Sequence, residues 1–176
     1  QKSKFVYIST DHLWDGSKQM MREDSPINPL NAYARTKAEG ESRVQEIDPS
    51  ALIVRTNFFG KGLPWRKSIS DWMIGKLLLG EQLNGFTDSF ITPISLDHLK
   101  CLIVKLVEIS AKGTYHVAGA ERLSKYDFAL NLCETLRLPS RLIIPTSVEQ
   151  AQLTAIRPKD LSLNTSKLRS LLNYDL

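Results

Sequence analysis

Two short apolar runs, Phe5-Val-Tyr-Ile-Ser9 and Ala51-Leu-Ile-Val-Arg-Thr56, flank a stretch of strong helix formers from about Leu30 to Val44. This strand, helix, strand alternation constrains the chain more than any other feature. Neither run alternates apolar with polar residues, so each is expected to be covered on both faces, as strands of a parallel sheet are. A parallel pair needs a crossover that returns the chain to the same end of the sheet, and the helical stretch supplies one. Asn28, Pro29 and Asn31 offer capping and first-turn chemistry at its start. The fold class is therefore α/β, part of a doubly wound parallel sheet. At 176 residues the chain suits roughly one domain with one sizeable core.

Between the first strand and its helix, Asp11 to Pro29 is polar, carries Asp15-Gly16 and two prolines, and reads as a long loop of the kind that tends to be functional. After Thr56 the elements shorten. Ser68 and Asp71 form an S-x-x-D cap ahead of Ile69, Trp72, Met73 and Leu77, which share one helical face. Phe90 to Ile94 reads as a strand although it contains Pro93, and Leu99, Leu102, Ile103, Leu106 and Val107 recur at helical spacing after Ser95. Gly113 to Val117 alternates like a strand, Ser124 and Asp127 cap a helix with Phe128, Leu132 and Leu136 on its apolar face, and Leu142 to Ile144 and Ser166 to Leu172 predict a last strand and helix. Such small, irregular elements suit a substrate-capping α+β subdomain beside a larger sheet.

The 23 basic residues are interspersed with 19 acidic ones, so a net charge of +4 does not describe a nucleic-acid surface. Only Lys61, Trp65, Arg66 and Lys67 form a basic cluster around an aromatic, a pattern that suits one diphosphate or a solvated loop with a tucked tryptophan. Cys101 and Cys133 lie in apolar helical patterns without C-x-x-C spacing, and are expected as buried free thiols in a reducing compartment. No apolar run approaches the ~20 residues that span a membrane, and the start lacks the order of a signal peptide. The expected location is cytoplasmic. His12, His98 and His116 show no metal spacing, and the chain has neither a G-x-S-x-G elbow nor a P-loop. The first strand arrives within four residues of Gln1 with no partner strand before it, so further strands are expected, in cis or from another chain. Without them the sheet would bare an apolar edge and both faces.

Tyr33 and Lys37 carry the most chemistry. Four residues apart on a helix, they share one face, so the ammonium can lie near the phenol and favour phenolate. Tyr33 is then a candidate general acid toward a carbonyl oxygen. With five tyrosines in the chain, such a pair arises about 0.4 times by chance, and an exposed helical pair is the plain alternative. Context favours the chemistry: Ser9-Thr10-Asp11 ends the first strand, at the sheet edge where ligands bind, and Thr10 brings a second hydroxyl to that edge.

The run Ile8-Ser-Thr-Asp-His-Leu-Trp-Asp-Gly16, with Glu23-Asp24, Pro26, Pro29-Leu-Asn-Ala-Tyr-Ala-Arg-Thr-Lys37 and Gly40-Glu41, resembles the dTDP-4-dehydrorhamnose reductase family of extended short-chain dehydrogenases/reductases. The likeness continues through Arg55-Thr-Asn-Phe-Phe-Gly60, Gly113-Thr-Tyr-His-Val-Ala-Gly119, Ser124-Lys-Tyr-Asp-Phe128, Arg157-Pro158, Leu163 and Lys167-Leu168, nearly the whole chain. It implies a Rossmann-like domain whose catalytic part is residues 1–60, followed in 61–176 mainly by a substrate-binding subdomain with some segments returning to the sheet. The implied reaction is reduction of a keto-sugar nucleotide by NADH or NADPH, and homodimers are implied as well. Thr10, Tyr33 and Lys37 match the family's catalytic residues; Ser9, Tyr33, Lys37, Arg55 and Thr56 would face the cofactor, and Thr10, Asp11, Asn57, Phe58, Arg66 and Arg157 the substrate. His12 stands where the family has tyrosine, and Ala34 where it has glycine. The family's Gly-rich dinucleotide loop lies N-terminal to the matched segment, and Gly60-Lys-Gly62 is no substitute. The resemblance thus implies that another half of the fold holds the cofactor phosphates, and that this segment alone is inactive.

Two other functions share this scaffold. One is a non-catalytic regulatory or binding subunit, as in the methionine adenosyltransferase β subunit, which the segment also resembles. Retention of Thr10, Tyr33 and Lys37 argues against it. The other is a sugar-nucleotide epimerase or dehydratase, which shares the tyrosine and lysine.

Overall fold

Residues 3–151 and 157–173 are described in the computed structural model. The elements run β1 (Val6–Ile8), α1 (Ala32–Ile47), β2 (Leu52–Arg55), β3 (Phe58–Phe59), α2 (Ile69–Leu78), β4 (Leu83–Phe86), β5 (Phe90–Ile91) and β6 (Ile94–Ser95). They continue with α3 (Leu96–Glu108), β7 (Gly113–His116), β8 (Leu123–Ser124), α4 (Lys125–Leu136), a 3₁₀ turn (Ser140–Leu142), β9 (Ile143–Thr146) and α5 (Ser166–Leu172).

The apolar strands pair as their composition predicts. β1, β2 and β7 form a parallel sheet in that spatial order, with Val6 opposite Leu52 and Leu52 opposite Gly113. Every residue of β2 is buried. Leu52 and Val54 pack with Leu99, Leu102 and Leu106 of α3, Val117, and Leu168 of α5. On the opposite face Arg55 reaches Glu41 of α1. Both faces of the central strand are therefore closed by helices of this chain, which corrects the expectation of two bare faces. The outer edge of β1 has no partner strand among the described residues, and Phe5 and Ile8 there are 52% and 38% exposed.

Local capping sets the helices. Asn31 Oδ1 accepts from the Ala34 amide at 2.9 Å and starts α1. α1 continues to Ile47 and stops before Asp48-Pro49, since proline disfavours helix in the residue preceding it. Ser68 and Asp71 form the expected capping box of α2, while Ser95 and Ser124 cap α3 and α4. α2 buries Met73 and Leu77 but leaves Ile69 and Trp72 exposed, so its predicted apolar face is split.

A second cluster joins Met73 and Leu77 to Leu83, Phe128, Cys133, Ile143 and Leu161, beside the parallel β4 and β9 pair. The Phe90 to Ile94 run is two strands: β5 pairs antiparallel with β8, and β6 pairs parallel with β3. Pro93 has no N–H for a ladder, and the chain changes partners there. Gly119 passes so close that a Cβ on it would lie 2.2 Å from the Pro93 carbonyl oxygen. Cys101 is exposed, contrary to expectation, because it lies two residues from Leu99 and so on the far side of α3; Cys133 is buried. The long loop is fastened: Leu13 and Trp14 pack with Ala118 and Leu163, and Glu23 accepts from the His116 amide at 2.9 Å. No helix among the described residues is long and apolar enough to cross a membrane.

Candidate active site

β1 delivers Ser9, Thr10 and Asp11, all buried, to the C-terminal edge of the sheet. The Ser9 amide donates to Val54 O at 2.7 Å, which continues the ladder one residue past β1. The Thr10 hydroxyl donates to Asp11 Oδ1 (3.1 Å) and accepts from the His12 amide (3.2 Å). Asp11 also accepts from Asn57 Nδ2, which links the segment after β2 to the segment after β1. Burial pushes the Asp11 carboxyl above its ordinary value, against the pull of His12 and these donors. The Ser9 and Thr56 hydroxyls are buried at the same edge without a hydrogen-bond partner among the described residues.

α1 presents the other pair. Tyr33, one residue into the helix, is 55% exposed, and its ring stands edge-on to His12 with centroids 5.9 Å apart. Lys37, one turn later, donates to Ile8 O at 2.6 Å and lies 4.7 Å over the Tyr7 ring. Its ammonium is thereby fixed at the end of β1. Tyr7 is pushed up by burial, with Glu41 and Tyr33 adding to the shift. α1 lies close above this ring, since a Cβ on Gly40 would come within 2.2 Å of the Tyr7 hydroxyl.

Arg55 points into the fold. Its Nη2 donates to Glu41 Oε2 at 2.7 Å, its Nε to both Glu41 oxygens, and its Nη1 to Glu23 O at 3.1 Å. The guanidinium also lies 5.3 Å from the Trp14 ring. That leaves it committed to α1 and the long loop rather than to the sheet edge.

Past Asn57 a cleft of about 560 Å³ opens, walled by Trp72, Phe86 and Phe128, with Lys125 and Arg157 in its lining. Lys125 is the first residue of α4, where the helix dipole disfavours a cation. Burial, then Arg157, pushes its ammonium below the ordinary value, while Asp11 pulls the other way. Lys125 is half-buried there while Arg157 is exposed, and an anion between them would offset the cost of the partly desolvated Lys125 ammonium. The sequence marks Lys125 only as a lysine directly after an N-cap serine. Arg157 belongs to this lining, whereas Arg66 sits in an exposed turn closed by Leu63 and lies outside it. Phe58 is half exposed on β3. No metal-binding group of three or more His, Cys, Asp or Glu exists among the described residues.

Comparison with known proteins agrees with this architecture. The family model for the RmlD substrate binding domain matches residues 1–176. A probable low-salt glycan biosynthesis reductase of Haloferax volcanii is 30% identical over 173 residues, covering 93% of this chain and 56% of the relative. The methionine adenosyltransferase 2 subunit beta of Bos taurus is 29% identical, covering 94% and 52%. A crystal structure of the dTDP-4-dehydrorhamnose reductase of Bacillus anthracis in complex with NADP superposes with a TM-score of 0.88 at 30% identity, covering 99% of this chain and 60% of that one. The chain thus spans about half the length of the curated relatives it matches.

Proposed function

This chain belongs to the RmlD substrate binding domain family, and on that premise we propose that the full-length protein reduces the keto group of a sugar nucleotide at the expense of NADH or NADPH. The observation that carries the reading is the two cations Lys125 and Arg157 in the lining of an apolar-walled cleft, both acting on the charge of His12, whose ring meets an exposed Tyr33 at the sheet edge. A sugar nucleotide has the complementary parts: a diphosphate for the two cations and flat or ring faces for Trp72, Phe86 and Phe128.

The residues at the edge of β1 and β2 fit a dinucleotide. Ser9 and Thr56 offer hydroxyls without a partner among the described residues, and Lys37 and Tyr33 would hold the ribose. When bound, that cofactor supplies a hydride to the carbonyl carbon. Tyr33 gives its phenolic proton to the carbonyl oxygen, and the Lys37 charge at the strand end stabilises the phenolate left behind. The Thr10 hydroxyl exchanges its bond to Asp11 for one to the same oxygen. Asp11 and Asn57 keep the segments after β1 and β2 in register around it.

The test is oxidation of NADH or NADPH by full-length protein with a 4-keto sugar nucleotide. Tyr33→Phe is expected to lower kcat by roughly 10²- to 10⁴-fold with an unchanged melting temperature, since the side chain is largely exposed. A second reading is favoured by the methionine adenosyltransferase relative: a binding subunit on the same scaffold. Tight dinucleotide binding without turnover by the wild type would decide for that subunit and against the reductase.

A further inference from the structure

His12 stands against the Tyr33 ring, and the proposed chemistry leaves it unused. Its side chain is 22% exposed, with Nε2 3.9 Å from Asp11 Oδ1. Nδ1 is buried without a hydrogen-bond partner among the described residues. The ring meets Tyr33 edge-on at 83°. The groups that act on it come from four places: Asp11 in its own loop, Tyr33 on α1, Lys125 on α4 and Arg157 in the C-terminal segment. Burial holds the imidazole below its ordinary value, and Lys125 and Arg157 add to that, while Asp11 opposes them.

The two cations that add to the effect of burial on His12 are the two that line the cleft. An anion seated on them cancels their repulsion and leaves the attraction of Asp11 and the burial of the pair. We propose that His12 is a positioning residue that couples cleft to catalyst: an anionic ligand on Lys125 and Arg157 draws one solvent proton onto the Asp11–His12 pair, which braces the ring against Tyr33. The proton returns to solvent when the ligand leaves, and nothing is oxidised or reduced. The proposal rests on the sugar-nucleotide reading, because it needs a ligand whose charge is fixed.

Isothermal titration of full-length protein with dTDP-glucose and with UDP-glucose, from about pH 5.5 to about pH 7.5, in buffers of different ionisation enthalpy, reads the proton directly. The diphosphate diester of either probe does not titrate in that range. The expected result is uptake of a fraction of a proton, largest toward the acid end, with affinity falling by up to about tenfold per pH unit as pH rises. His12→Phe keeps an aromatic edge against Tyr33 and is expected to abolish both effects. His12→Tyr, the residue of the resembling family, serves as a second non-ionising variant. Binding without proton uptake, or with uptake unchanged in both variants, overturns the linkage while leaving the ligand class intact. Failure of both probes to bind overturns the functional reading itself, and the proposal with it.

Discussion

Deleting the carboxylate of Glu41 strands a guanidinium in the interior. Glu41 and Arg55 are 3% and 5% exposed, and three donor–acceptor contacts of 2.7 to 3.1 Å join them across the α1 face of β2. The pair is too deep for water to replace the lost partner, and among the described residues the Arg55 side chain keeps Glu23 O and the Trp14 ring. Breaking such a buried pair from one side costs about 3–5 kcal/mol. At about 2–4 °C per kcal/mol for a domain of this size, Glu41→Ala lowers the melting temperature by roughly 6–20 °C. Replacing both partners with methionine removes the orphaned charge, so the double variant is expected within about 1 kcal/mol of wild type. Thermal and urea unfolding give the energies, and dinucleotide affinity measured on the same samples separates fold from site. A loss under about 1 kcal/mol in Glu41→Ala would refute the ion-pair account. A double variant that is stable but binds dinucleotide tenfold more weakly would mean that Arg55 does serve the cofactor.

Lys125→Ala and Arg157→Ala are each expected to weaken sugar-nucleotide binding by about 10- to 100-fold with a smaller change in kcat, read from KM and direct titration. His116 is held at about 3 by burial and the nearby Arg55, so below about pH 6.5 the unfolded chain takes up its proton and the folded chain does not. Stability is intact above that pH and falls by up to about 1.4 kcal/mol per unit toward pH 3; urea midpoints should show the slope, and His116→Gln should flatten it. Gly119→Ala forces a methyl against the Pro93 carbonyl and should cost about 1–3 kcal/mol in urea unfolding, whereas an unchanged midpoint would mean that the segment simply moves aside.

Signals confined to a few neighbouring residues were legible in the sequence. Ser68 and Asp71, Ser95, and Ser124 and Asp127 cap their helices because a cap is settled within four residues. The parallel sheet was legible because β2 has no polar face to present to water. Phe90 to Ile94 misled because two-residue strands are defined by distant partners, Ser124 on one side and Phe58 on the other. Cys101 misled because an apolar helical pattern does not state which side it faces until Leu99, Leu102 and Leu106 find the sheet. In the candidate site, Tyr33 and Lys37 announced themselves by spacing. Lys125 did not, since its meaning depends on Arg157 and Asp11, which only the folded chain brings near. The orientation of Arg55 was hidden for the same reason: its partner lies on another element.

The ladder between β2 and β7 joins residues about 60 positions apart, and none of the strand ladders described above is a hairpin. Pairing that distant slows folding, because chain closure must precede any gain from contact. On the ribosome the consequence is a waiting time. At about 5–20 residues per second, β2 emerges roughly 3–12 s before β7 exists to pair with it. During that interval the apolar run from Leu52 to Val54 has an unfilled edge, so nascent chains of this protein should depend on holding chaperones more than a hairpin-built protein of equal length.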